Sequence, residues 1–157
     1  MARKYTIGID FGTLSARAVA LDLETGIEAA EAVFAYPHGV MDEQLPCGKK
    51  LPPQYALQHP QDYLNALQAV IGGVLQTVDK ADVKALCIDF TTSTVLPVDE
   101  KGTPLCFLPE FEKEPHAYVK LWKHHGPVKQ ALEFDRVAHK RQEKWMVNCG
   151  GTSSSEW

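Results

Sequence analysis

The sequence lacks the two commonest signatures of a bound nucleotide. No GxxxxGK[ST] loop occurs in its 157 residues, and no GxGxxG follows a strand and opens a helix. Its four cysteines (Cys47, Cys87, Cys106 and Cys149) include no CxxC pair, which argues against a zinc site or a disulfide framework. No apolar run approaches the ~20 residues of a membrane span. Positive charge is not in excess either: 16 Lys and Arg face 20 Asp and Glu, a net charge of −4. That balance gives no electrostatic case for nucleic acid. The opening MARKYTIGID lacks the long apolar core of a signal peptide. These absences predict a cytoplasmic chain with neither a membrane nor a nucleic-acid partner. What remains, 45% hydrophobic and 23% charged residues, suits one globular domain with a real core.

The chain is organised around YTIGIDFGTLSARAVALD, read as strands at 5–11 and 17–23 joined by the turn 12–16. Alternation puts Ile7, Ile9 and Phe11 on one face, with Gly8 and Asp10 on the other. Asp10 thus ends a strand beside a turn of small and hydroxyl residues. Gly12 permits a backbone conformation or a close approach that a side chain would forbid. Thr13 and Ser15 offer hydroxyls and amides, and Arg17 adds a fixed cation. A carboxylate able to hold a hydrated metal, next to donors able to hold an anion, points to a nucleotide phosphate site. Asp-x-Gly-Thr also occurs in ordinary hairpins, where it satisfies local backbone groups.

A turn at Glu24-Thr25-Gly26 leads to a third strand at 27–35, completing an antiparallel meander. Residues 36–59, with Pro37, Pro46, Pro52 and Pro53, predict a long irregular loop. Pro60 opens a helix whose inner stripe is expected at Leu64, Leu67, Ile71, Val74, Leu75 and Val78; Gly72-Gly73 weakens it and permits close packing. A buried strand at 84–90 follows, with Cys87 as a small core residue. It ends in the hydroxyl cluster Thr91-Thr92-Ser93-Thr94, more than a tight turn requires and placed where ligands gather in open sheets. A strand is expected at 95–98 and a helix over PHAYVKLWKHH from Pro115, stopped at Gly126-Pro127. On that helix His116, His124 and His125 read as solvated tips rather than metal ligands. A further helix at 128–143 should turn Ala131, Leu132, Val137 and Ala138 inward, and residue type places Trp122 and Trp145 in the core. Ser153-x-x-Glu156 is a capping box that announces a helix, so the chain reads as a piece of something longer.

Taken together, IGIDFGTLSARAVALD, PHGVMDEQLP, ALQHPQDYL, DFTTSTVLPVDEKGTPLC, PHAYVKLWKHH and GGTSSSEW resemble the FGGY carbohydrate kinases over nearly the whole chain. The first string is family-wide; the others point to the members that phosphorylate L-ribulose. The resemblance implies an α/β fold of the ribonuclease H-like (actin-like ATPase) class. Its mixed sheet begins as an antiparallel meander and carries helices packed on it. Residues 1–157 would be the N-terminal part of the first of two domains that close on ATP and a sugar. ATP and Mg2+ are the implied cofactors and L-ribulose or a related pentulose the implied small-molecule partner; the oligomeric state stays open, a homodimer among the alternatives. The implied reaction gives L-ribulose 5-phosphate in arabinose catabolism.

By that resemblance Asp10 holds Mg2+, while Gly12, Thr13, Leu14, Ser15 and Arg17 form the first phosphate loop. Leu14 departs from the polar or acidic residues common there; it leaves backbone amides but removes a side-chain contact. Thr92 and Ser93 match sugar-contacting positions, and Trp122, Lys123 and His124 match the segment bordering the sugar pocket. The family's catalytic aspartate would lie beyond Trp157, so no catalytic residue is expected here and the chain alone should be inactive. Asp89, at the end of a strand read as buried, and Asp99, in a turn, are not assigned that role. Xylulose, glycerol and L-fuculose kinases remain alternatives, as does a non-catalytic actin-like nucleotide module. Residues 91–94 and 116–125, which such a module does not need, speak against the last.

Overall fold

A computed structural model describes residues 3–155. In order, the elements are β1 (Tyr5–Phe11), β2 (Ser15–Asp22), β3 (Glu28–Ala35), β4 (Leu57–Gln58), α1 (Pro60–Val74), β5 (Val83–Phe90), β6 (Val119–Lys120) and α2 (Val128–Arg141). They divide into two compact units: residues up to 40 with 58–92, and residues 41–57 with those from 93 onward.

In the first unit the meander forms as its alternation dictates. β1 pairs antiparallel with β2, and β2 with β3, while β5 returns parallel to β1, giving the order β3-β2-β1-β5. The turn is tighter than expected, because β2 already begins at Ser15. β1 buries Tyr5, Ile7, Ile9 and Phe11 and exposes Gly8 and Asp10. From β2 the same face receives Ala16, Ala18 and Ala20, with Asp22 at its end, so a helix can lie close over the alanines. α1 starts at Pro60 as its signals require, but its buried stripe is Asp62, Ala66, Val70 and Val74, spaced by four. Val74 and Val78 are in the core as expected, and Leu67, Ile71 and Leu75 are partly buried against it, but Leu64, also expected inside, is half exposed. The reason is Gly73: a Cβ there would sit 2.6 Å from the Ala32 Cβ, so the helix is seated on its smallest face. Fully burying each Ile, Val or Phe of this core contributes roughly 1.5–3 kcal/mol.

The expectation that β5 is a buried strand is corrected. It is the sheet edge, with Leu86, Ile88 and Phe90 44–48% exposed and Cys87 exposed rather than in the core. α1 lies over β2 and β3, which leaves β5 largely bare.

The second unit has its own core of Met41, Leu45, Leu57, Cys106, Ala117 and Tyr118. The proline-rich loop therefore packs inward, closed by bridges at Met41–Leu57 and Gln44–Lys50. β4 pairs with β6. The strand expected at 95–98 is reduced to isolated bridges, Val95 with Lys120 and Val98 with Pro104. Nor is there a helix from Pro115: a 3-10 turn at Pro115–Ala117 passes into β6. Ala117, Tyr118, Val119 and Leu121 are all at most 2% exposed, so the segment threads through the interior. A surface helix would turn one side of such a run to solvent. α2 forms as predicted and ends at Gln142, whose φ of 55° is left-handed. Only Ala138 on it is buried, however, and Leu132 is 66% exposed. Trp122 and Trp145 are likewise 48% and 40% exposed, not core. Ser153 bonds to Asp135 through both its N–H and its hydroxyl, and the Glu156 half of the expected capping box lies outside the described residues. All four cysteines are free, and burial pushes the Cys106 thiol up to about 11. No helix among the described residues is long and apolar enough to cross a membrane.

Candidate functional site

β1 and β5 both end in Ile-Asp-Phe, and their parallel register sets the two tripeptides side by side: Ile9 with Ile88, Asp10 with Asp89, Phe11 with Phe90. The rings of Phe11 and Phe90 stack with centroids 4.4 Å apart. Partners in register share a face, so Asp10 and Asp89 stand next to one another on the side of the sheet away from α1. A shallow pocket of about 300 Å³ there is lined by Gly8, Ile9, Asp10, Arg17, Val19, Cys87 and Asp89. Two adjacent carboxylates with room for water are an all-oxygen donor set that suits Mg2+. Asp89 was missed in the sequence because its strand was read as buried; the repeated Ile-Asp-Phe was the available signal.

The turn above Asp10 is built from Gly12, Thr13 and Leu14. The Gly12 N–H donates to the Ser15 carbonyl at 2.9 Å, and the Tyr36 N–H to the Leu14 carbonyl at 2.9 Å. Gly12 eases the close approach, since a Cβ would lie 3.3 Å from the Ser15 carbonyl oxygen, a tight contact. Leu14 is 61% exposed. Arg17, opposite Asp10 in register, turns its guanidinium to Glu31 instead, at 3.0 Å. The hydroxyl cluster begins at the same end of the sheet, where the Thr91 N–H donates to the Phe11 carbonyl at 3.2 Å. Asp10, Gly12, Thr13, Leu14, Ser15, Arg17 and the exposed Thr92 thus all belong to the first unit.

Ser93, Trp122, Lys123 and His124 belong to the second. Ser93 adopts a left-handed φ of 58°, which places a sharp bend inside the hydroxyl run. Trp122 presents its ring to solvent beside a half-buried Lys123. His124 is 4% exposed, which corrects its reading as a solvated tip. Its Nδ1 accepts the Ala56 N–H at 3.1 Å, leaving the proton on Nε2. The ring meets Tyr55 edge-on at 4.6 Å, and a Cβ on Gly126 would press within 3.0 Å of it. Burial first, then the charge of Lys120 nearby, pushes the imidazole down to about 4, so it is a neutral donor. Lys120 is pushed down to about 8 by burial, its Nζ held by the His116 and Tyr118 carbonyls at 2.7 and 2.9 Å.

His38, His59 and Asp62 also come together, with ligand atoms within 4.8 Å of one another. Those atoms are engaged already. Asp62 accepts from the His38 backbone N–H at 3.0 Å and pairs with the His38 ring at 2.8 Å, while His59 Nδ1 accepts from the Gln61 N–H as a helix cap. The cluster ties the end of β3 to the start of α1.

No family model matches the chain. It is 49% identical over 158 residues to a ribulokinase of Shouchella clausii (strain KSM-K16), and 51% identical over 160 residues to one of Geobacillus thermodenitrificans (strain NG80-2). These alignments cover 99% and 100% of the chain but only 28% of each relative, so the chain spans little more than a quarter of their length. Among solved structures, a xylulose kinase of Brucella ovis superposes with a TM-score of 0.66 at 16% identity, over 88% of this chain and 25% of its own. A gluconate kinase of Lactobacillus acidophilus gives 0.63 at 18%, over 89% and 23%. The fold is that of the sugar kinases, an actin-like ATPase architecture with a mixed sheet.

Proposed function

We propose that this chain, homologous from end to end to ribulokinases, supplies the phosphate-holding part of a kinase that phosphorylates L-ribulose. The γ-phosphoryl group of ATP would pass to a sugar hydroxyl, giving L-ribulose 5-phosphate and ADP in arabinose catabolism. The observation that carries the reading is the in-register pair Asp10 and Asp89 beneath the Gly12–Thr13–Leu14 turn. Phosphoryl transfer rests mainly on positioning and charge neutralisation. Mg2+, when bound, would supply that neutralisation, held by Asp10 with Asp89 beside it. With the Gly12 N–H closing the turn, the Leu14 amide and the hydroxyls of Thr13 and Ser15 would be the groups presented to the terminal phosphates. Arg17, paired with Glu31, would contribute by shaping the field rather than by a dedicated contact.

Thr92, Ser93, Trp122, Lys123 and His124 are the proposed sugar-facing residues. Trp122 would offer a flat apolar face to the carbon skeleton, and neutral His124 a donor to a hydroxyl. We assign residues 1–157 to the first of two domains of a cytoplasmic enzyme. We place the general base and adenosine site outside the 28% of each relative that this chain matches, and expect no turnover from the chain alone.

The test is Asp10→Asn in the full-length protein. Loss of a metal-holding carboxylate should lower kcat/KM for MgATP by at least ~10²-fold while leaving sugar affinity nearly unchanged. A value within twofold of wild type would sink the assignment. Rates with L-ribulose, xylulose and glycerol, compared side by side, decide the substrate; a clear preference for xylulose or glycerol would replace L-ribulose.

A further inference from the structure

Gln58 is 1% exposed, an unusual place for an amide, and both ends of its side chain are used. Its Nε2 donates to the Thr13 carbonyl at 2.7 Å, across 45 residues of sequence. Its Oε1 accepts from the Tyr63 hydroxyl at 2.6 Å, near the start of α1. The chemistry fixes the orientation. Only the NH2 end can face a carbonyl, so Oε1 must face a donor, and Tyr63 supplies it. Burial raises the Tyr63 pKa, which keeps its hydroxyl protonated.

In a trans peptide the carbonyl of one residue and the N–H of the next point in opposite directions. A Thr13 carbonyl held toward buried Gln58 therefore aims the Leu14 N–H away from Gln58, in a residue that is 61% exposed. The Tyr36 N–H holds the following carbonyl, that of Leu14, so two successive peptide planes of the turn are locked. We propose that Gln58, backed by Tyr63, is a positioning residue that sets the Thr13–Leu14 peptide plane so that its N–H meets a phosphate oxygen of the nucleotide. Preset donors of this kind need no reorganisation when charge develops on the transferring group. The proposal rests on the phosphate assignment of the hairpin given above.

The experiment is steady-state kinetics of the full-length protein across pH with Gln58→Glu, Tyr63→Phe and, as the reference, Asp10→Asn. The carboxyl that Gln58→Glu introduces is buried, so it titrates above the usual carboxylate range. At low pH it is protonated and donates to the Thr13 carbonyl as the amide did; at higher pH it is ionised and repels it. KM for MgATP should thus stay near wild type at the acid end and rise about tenfold at the alkaline end, with KM for the sugar unchanged. Tyr63→Phe, which keeps the amide but frees it to turn, should raise KM for MgATP about twofold to threefold at all pH values. A merely structural role would move both KM values together and show no such pH dependence; that pattern, or no change in Gln58→Glu and Tyr63→Phe while Asp10→Asn is impaired, overturns the Gln58 proposal alone. If Gln58→Glu does not fold, an unchanged KM for MgATP in Tyr63→Phe overturns it. Wild-type MgATP kinetics in Asp10→Asn would overturn the phosphate assignment and this inference with it.

Discussion

The first unit builds its core from periodic elements, the second from individually placed side chains. In the first, β1 and β2 bury alternate residues and α1 buries every fourth, so one face of each element does the packing. In the second, Met41, Leu45, Leu57, Cys106, Ala117 and Tyr118 come from loops, 3-10 turns and two-residue strands, yet they are as thoroughly buried. The difference teaches that burial does not require regular structure, only backbone groups that find partners. Here the bridges at Met41–Leu57 and Val95–Lys120 supply those partners.

The sharpest way to break this comparison is to open a cavity in each core. Ile7 is 2% exposed and Leu57 fully buried. Ile7→Ala and Leu57→Ala should each cost about 2–5 kcal/mol in denaturant unfolding. A much smaller cost for Leu57→Ala would mean that the irregular core is loosely packed. Next comes acid. The fold holds His124 near 4 against an ordinary 6.5, so the unfolded chain binds a proton that the native state refuses. The stability this group contributes is complete above pH 6.5 and is lost as pH falls toward 4, by about 3 kcal/mol at most. His124→Asn keeps an acceptor for the Ala56 N–H without titrating, and a Tm series from pH 4 to 7 should show a flatter acid limb.

The paired glycines of α1 sharpen the contrast on a smaller scale. Gly73→Ala, with Ala32 only 2.6 Å from the new Cβ, should destabilise by about 1–3 kcal/mol. Gly72→Ala meets nothing within 4 Å and should stabilise by about 0.5–1 kcal/mol, both read as shifts in Tm. Smallest of all is Leu64→Lys. Half exposed, it should change stability by no more than ~0.5 kcal/mol; a large loss would restore the leucine stripe as the inner face of α1.

What could be read in advance follows the same division. Alternation in YTIGIDF gave β1, its faces and Asp10, because one side of a sheet is apolar and the other is not. The stripe on α1 was right at Val74 and Val78 and wrong at Leu64; Ala66 and Val70 were passed over because large residues were weighed above small ones such as Ala66 and Gly73, whose lack of bulk sets the contact. PHAYVKLWKHH has apolar residues at spacings a helix would also accept, and only long-range pairing with β4 reveals it as a 3-10 turn and a strand. Gln58 carries no pattern at all: its part in the turn depends on a partner 45 residues away.

The bare side of β5 gives the order of synthesis a physical meaning. From the moment Val83–Phe90 pairs with β1, a row of backbone groups flanked by Leu86, Ile88 and Phe90 faces outward with no neighbouring strand among the described residues. Such a row is a template for another copy. While later parts are still emerging at ~5–20 residues per second, nascent chains on adjacent ribosomes could zip together along it. The isolated chain should therefore scatter more light per unit mass as concentration rises, and Ile88→Lys should remove that dependence.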